Sequence, residues 1–101
     1  MEGRISAIIL SGGYSSRMGE FKPLLPMGNG TVVERAVELF RGAGIDDIRV
    51  VVGHRAEELL PLLGRMQVRP VVNDRYREGM FSSVVAGVAS LDDDVAAFFL
   101  L

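Results

Sequence analysis

The chain has 101 residues, a formal net charge of −2, 49% hydrophobic residues and no cysteine. That length holds at most one small domain, and the missing cysteines exclude disulfides, thiolate metal sites and a cysteine nucleophile. The charge gives no electrostatic case for a nucleic-acid partner or an anionic membrane surface, and with one histidine, His54, any metal would be held by oxygen ligands, which points to magnesium.

Arg4–Leu10 reads as a first buried strand. It is too short for a secretory core, and no apolar run approaches the about 20 residues that cross a bilayer, so the expected location is the cytoplasm. Residues 11–30 form a loop holding Pro23, Pro26, Gly28 and Gly30. Strand-to-helix connections usually take about 2–6 residues, and long ordered loops are usually functional. Thr31 and Glu34 match a capping box, and Val33, Ala36, Val37 and Phe40 recur at helical spacing until Gly42 or Gly44 stops the helix.

Ile48–Val52 is a second strand, read as β-branched and apolar on successive residues and hence buried on both faces as in a parallel sheet. A turn at Gly53-His54 leads into a helix over Ala56–Leu63, expected to be short or kinked at Pro61 and closed by Gly64. Val68–Val72 is a third strand, placed at an edge by Pro70. A polar loop, Asn73–Met80, precedes a third helix whose expected core stripe is Phe81, Val84, Val85 and Val88. Asp92, Asp93 and Asp94 read as a solvated turn before a fourth strand, Val95–Leu101. This β-α-β-α-β-α-β order predicts an α/β fold, a Rossmann-like open, mostly parallel sheet with helices on both faces. Ligands in such sheets bind beyond the carboxyl ends of the strands.

The segment after the first strand carries the chemistry. Gly12 and Gly13 permit close approach of backbone N–H groups to a phosphate, and Arg17 and Lys22 supply cations to neutralise it. No Gly-Lys-Ser/Thr closes the loop and the third dinucleotide glycine is missing, so it is neither a Walker loop nor a dinucleotide fingerprint. The expected ligand is a nucleoside triphosphate. Arg17 would sit against the β/γ side and stabilise departing pyrophosphate, and Lys22 would meet charge developing at the α-phosphate.

The spelling from Leu10 through Ser11, Gly12, Gly13, Tyr14, Ser15, Ser16, Arg17, Met18 and Gly19 to Lys22 resembles the signature Leu-Ala-Ala/Gly-Gly-x-Ser-x-Arg-Met-Gly-x-x-Lys of a nucleotidyltransferase family. Its nearest members are the molybdenum-cofactor cytidylyl- and guanylyltransferases. Val52-Gly53-His54, Asn73, and the run Gly79-Met80-Phe81-Ser82-Ser83-Val84 follow in family order, so the resemblance covers the whole chain. It implies an Mg2+-dependent enzyme in which a phosphorylated acceptor, such as molybdopterin cofactor, attacks the α-phosphate of the nucleotide and releases pyrophosphate. By the same resemblance Leu10, Ser11, Gly12, Gly13 and Ser15 line the triphosphate and base, and Gly79, Met80 and Ser83 lie near base and ribose. Asn73 either contacts nucleotide or caps its own turn, and Ser83 either meets a pyrimidine edge or caps its helix.

CMP from CTP is the expected transferred group, while Gly12 matches the guanylyl-type spelling and keeps GTP open. The resemblance places the magnesium aspartate just after the fourth strand, beyond Leu101. Residues 1–101 are accordingly read as the N-terminal nucleotide-binding part of one nucleotidyltransferase domain, truncated after the fourth strand, inactive alone and able to form homo-oligomers through its exposed strand. The rival expectations are a sugar-phosphate or other alcohol-phosphate nucleotidyltransferase and a non-catalytic nucleotide-binding regulatory module.

Overall fold

A computed structural model describes residues 3–11 and 21–101. Four parallel strands, β1 (Arg4–Leu10), β2 (Asp47–Val52), β3 (Arg69–Val72) and β4 (Val95–Leu100), form one sheet in the order β3-β2-β1-β4. Helices α1 (Val32–Gly42), α2 (Ala56–Met66) and α3 (Met80–Ala89) connect them, as the sequence order predicts. A short antiparallel ladder pairs Pro26–Met27 with Gly30–Thr31 within the first connection.

The register sets the two faces. Ala7 pairs with Ile48 and Ile9 with Val50, and these side chains join Val33, Val37, Leu59 and Leu63 in the core under α1 and α2. The alternate residues Ile8 and Val51 face α3 at Gly87. Such double-faced burial explains the near-continuous apolar run of β2. Pro70 lies in β3 at one edge of the sheet, where a missing N–H costs no ladder bond.

Thr31 and Glu34 form the expected capping box: the Thr31 N–H donates to Glu34 Oε1 at 2.8 Å, and the Glu34 N–H donates back to Thr31 Oγ1. Gly44, with φ +87°, supplies the left-handed residue that turns the chain after α1.

Three expectations need correction. Helix α2 runs on past Leu63 to Met66, through both Pro61 and Gly64, and ends at Gln67 in the left-handed region. Pro61 lies on the exposed side of the helix. Burial of Leu59 and Leu63, both fully enclosed, contributes about 1.5–3 kcal/mol each, which offsets the about 3 kcal/mol that an interior proline costs.

The α3 stripe is also on another face. Phe81, Val85 and Val88 are 75%, 50% and 40% exposed, whereas Ser83 and Gly87 are buried. The small residues let the helix lie close to the sheet: a Cβ on Gly87 would stand 2.7 Å from Ile8 Cγ2 and 3.1 Å from Val51 Cγ2. The third correction is Arg49, which stands fully buried inside β2, so that strand is not uniformly apolar.

Candidate active site at the carboxyl ends of the strands

The carboxyl ends of β1 and β4 open on a concavity of ≈ 300 Å³ between the start of α1 and the start of α3. Leu10, Ser11, Lys22 and Met80 line it, with Phe21, Val32, Val33 and Leu101. Its floor is fixed by the sheet ladder: the Leu10 N–H donates to the Leu101 carbonyl at 2.9 Å, and the Ser11 N–H to the Val51 carbonyl at 2.8 Å. Ser11 is therefore buried at the end of β1, at the point where the glycine loop departs. Gly12, Gly13, Ser15 and Arg17 lie outside the described residues.

Lys22 opens a 3-10 turn, Lys22–Leu24, with Pro23 inside it. The turn is anchored by Phe21, which is 9% exposed and belongs to the core, while Lys22 itself is exposed. The arrangement holds a flexible ammonium group at the rim of an apolar hollow on a rigid base. No ion pair engages Lys22 among the described residues.

Asn73 follows β3 and is buried. Its Oδ1 accepts from the Arg75 N–H at 3.0 Å, and its Nδ2 donates to Ser82 Oγ and Ser83 Oγ at 3.0 Å each. The carboxamide thus shapes its own turn and ties it to the first turn of α3, and both its oxygen and its nitrogen are engaged inside the protein. Ser83 is 1% exposed beneath that contact. Gly79 has φ +110° and ψ 176°, a conformation essentially restricted to glycine, and it delivers Met80 to the concavity. Leu10, Ser11, Lys22 and Met80 are brought together, whereas Asn73 and Ser83 form a separate buried pair beside them.

Sequence reasoning left His54 as a turn residue. The structure places its ring 6.3 Å from that of Phe21, edge to face, and 5.8 Å from that of Tyr76. The Arg55 guanidinium lies 4.7 Å above the Phe21 ring and is held there by Glu58, to which Nη2 donates at 2.7 Å. This bond raises the Arg55 pKa and holds the Glu58 carboxyl below its ordinary range.

Asp92 and Asp94 sit at the opposite, amino end of the sheet. Arg4 donates to Asp92 at 2.6 Å and to Asp94 at 2.8 Å, and buried Arg49 donates to Asp47, to Asp92 and to the Ser90 carbonyl. Burial alone would raise the Asp47 carboxyl, but hydrogen bonds from Ser6 and Arg49 hold it below the ordinary value. Bonds from Arg4 and then Arg49 do the same for Asp92. The sequence signal for this cluster is the period-2 pair Asp47 and Arg49, which places both side chains on one face of a strand. Among the described residues no group of three His, Cys, Asp or Glu side chains could hold a metal ion. Asp47, Asp92 and Asp94 are engaged by arginines at the opposite end of the sheet, and no carboxylate side chain is among the described residues lining the concavity, so these side chains do not themselves fit a magnesium centre.

Comparison with known proteins settles the lineage. The MobA-like NTP transferase domain matches residues 7–101. The chain belongs to that family. Within it, the bifunctional IPC transferase and DIPP synthase of Rubrobacter xylanophilus is 35% identical over an alignment of 95 residues that covers 88% of this chain and 22% of that protein. The molybdenum cofactor cytidylyltransferase of Escherichia coli is 30% identical over 89% of this chain and 47% of its own length. A solved nucleotidyl transferase from Methanothermobacter thermautotroptrophicus superposes with a TM-score of 0.80 at 36% identity, covering 93% of this chain and 50% of that one. The chain spans about half, or less, of the length of these relatives. Other relatives are named as sugar-1-phosphate and choline-phosphate nucleotidyltransferases, and one as a nicotine blue oxidoreductase. No helix among the described residues is long and apolar enough to cross a membrane.

Proposed function

We propose that residues 1–101 are the nucleotide-binding part of a nucleotidyltransferase domain that moves a nucleoside monophosphate onto a phosphorylated acceptor. The observation that carries this reading is the convergence of Leu10, Ser11, Lys22 and Met80 on one concavity at the carboxyl end of the sheet. An acceptor phosphate oxygen attacks the α-phosphorus, the bond from that phosphorus to the bridging oxygen breaks, and pyrophosphate leaves. Lys22 stabilises the charge developing on the α-phosphate, and Arg17 that on the departing pyrophosphate. Fixed cations in this role act most strongly where water is excluded. Gly12, Gly13 and Ser15 complete the triphosphate cradle in this reading, with Gly79, Met80 and Ser83 near base and ribose. Asn73 supports them through its bonds to Ser82 and Ser83.

CTP is the preferred nucleotide in this reading, on the resemblance of the Gly79–Val84 loop and helix to the cytidylyltransferase branch and on the cytidylyltransferases among the relatives, with magnesium as the metal required for turnover. Molybdopterin cofactor is the leading acceptor. A sugar phosphate is the second reading, favoured by relatives named glucose-1-phosphate thymidylyltransferase and mannose-1-phosphate guanyltransferase. The test measures pyrophosphate release by the complete protein with magnesium, each of the four nucleoside triphosphates and a panel of phosphorylated acceptors. Release with CTP and one acceptor supports the reading; release with no combination contradicts it.

A further inference from the structure

Three loops leave the carboxyl end of the sheet near one another, and one group of side chains joins them. Phe21 is the last residue before Lys22, His54 is the second residue after β2, and Tyr76 opens the 3-10 turn that leads to Gly79. The His54 ring stands between the other two, 6.3 Å from Phe21 and 5.8 Å from Tyr76. Edge-to-face and tilted ring pairs at such distances contribute beyond their buried area.

The neighbouring residues are shaped to keep this arrangement. A Cβ on Gly53 would stand 2.7 Å from Tyr76 Cβ, so the missing side chain makes room for Tyr76. Arg55 adopts φ +58°, a left-handed conformation rare for a side chain of its type, and this residue places its guanidinium over the Phe21 ring. Glu58 clamps it from the first turn of α2.

We infer that His54 is a positioning residue that acts on Lys22 through Phe21. It fixes the base of the Lys22–Leu24 turn, and through Tyr76 it couples that turn to the loop carrying Gly79 and Met80. The two walls of the concavity are thereby held at one spacing. The inference rests on the proposed transferase reading, because Lys22 is the group being positioned.

The consequence is kinetic. Misplacing a catalytic cation by an ångström costs transition-state stabilisation more than ground-state binding, on the order of 10–100-fold in rate. His54→Ala in the complete protein is expected to lower kcat by about that factor while leaving the KM for nucleotide nearly unchanged. His54→Phe, which keeps a ring edge against Phe21 and a face toward Tyr76, is expected to recover most of the lost rate. In a Lys22→Ala background, His54→Ala is expected to have no further effect on kcat, since the positioned group is gone.

A merely structural His54 gives a different pattern. Loss of melting temperature would then track loss of rate, and the effects of His54→Ala and Lys22→Ala would multiply. Multiplying effects, or a His54→Phe variant as slow as His54→Ala, overturn the inference while leaving an active wild type and the transferase reading in place. A wild type that releases no pyrophosphate from any triphosphate overturns the reading, and the inference with it.

Discussion

The two ends of this sheet use charge in opposite ways. At the amino end Arg4, Arg49, Asp47, Asp92 and Asp94 are engaged with one another, and Arg49 has no exposure at all. At the carboxyl end Lys22 stands exposed at the rim of an apolar hollow, over a base that packs. The amino end locks the starts of β1 and β2 to the turn before β4. The carboxyl end keeps a cation available. A buried arginine and an exposed lysine thus mark the difference between charge that holds a fold and charge that, in the proposed transferase, meets a ligand.

The largest break in this comparison comes from Arg49. Arg49→Ala leaves Asp47 without its buried partner, and removing one member of a buried pair costs about 3–5 kcal/mol. Denaturant unfolding is expected to show a loss of that size. At the other end, Lys22→Ala is expected to lower kcat by about 100–1000-fold with the unfolding midpoint unchanged, as checked by pyrophosphate release beside the same denaturant curve. Gly87→Val thickens the face by which α3 meets Ile8 and Val51, and overpacking of this kind costs about 1–3 kcal/mol; thermal unfolding reads it.

The smallest effect is the acid response. The folded state holds Asp47 and Asp92 below their ordinary value of 3.8, so as pH falls the unfolded chain takes up protons first. Their stabilisation is complete above that value and is lost as pH falls through the lowered folded values. Melting temperature is expected to start dropping as pH nears 3.8 and to go on dropping below it, and to drop less in Asp47→Asn, which has no carboxylate there to protonate.

Much of the fold was legible because local signals and global topology agree. The capping box at Thr31 and Glu34, the apolar run of β1 and the edge proline Pro70 each have a local cause that the tertiary structure preserves. Helix α3 was misread because Phe81, Val85 and Val88 make an apolar stripe at helical spacing, and periodicity cannot distinguish an apolar face from the face that packs closest. The small side chains of Ser83 and Gly87 decide that, since they let the helix approach the sheet. Helix α2 outran its proline because leucine burial outweighs one lost backbone bond.

The candidate site was legible in part. Motif spelling placed Leu10, Ser11, Lys22 and Met80 on one list, and the fold puts them around one hollow. Spelling offered turn capping for Asn73, which matches the bond it accepts from the Arg75 N–H two residues on, but it could not show that the carboxamide nitrogen reaches Ser82 and Ser83, because hydrogen-bond partners nine or ten residues away depend on how a turn meets a helix. Nor could it show His54 between two rings drawn from different loops. Arg17, Gly12, Gly13 and Ser15 fall outside the described residues and rest on the motif alone.

The most direct test of the contrast between the two ends is a backbone amide NMR titration of the protein with CTP in the presence of magnesium. Shifts are expected to concentrate at Leu10, Ser11, Lys22 and Met80, with Arg4, Asp47, Arg49 and Asp92 unmoved. Shifts centred on the amino end, or none at the carboxyl end at millimolar nucleotide, would contradict it.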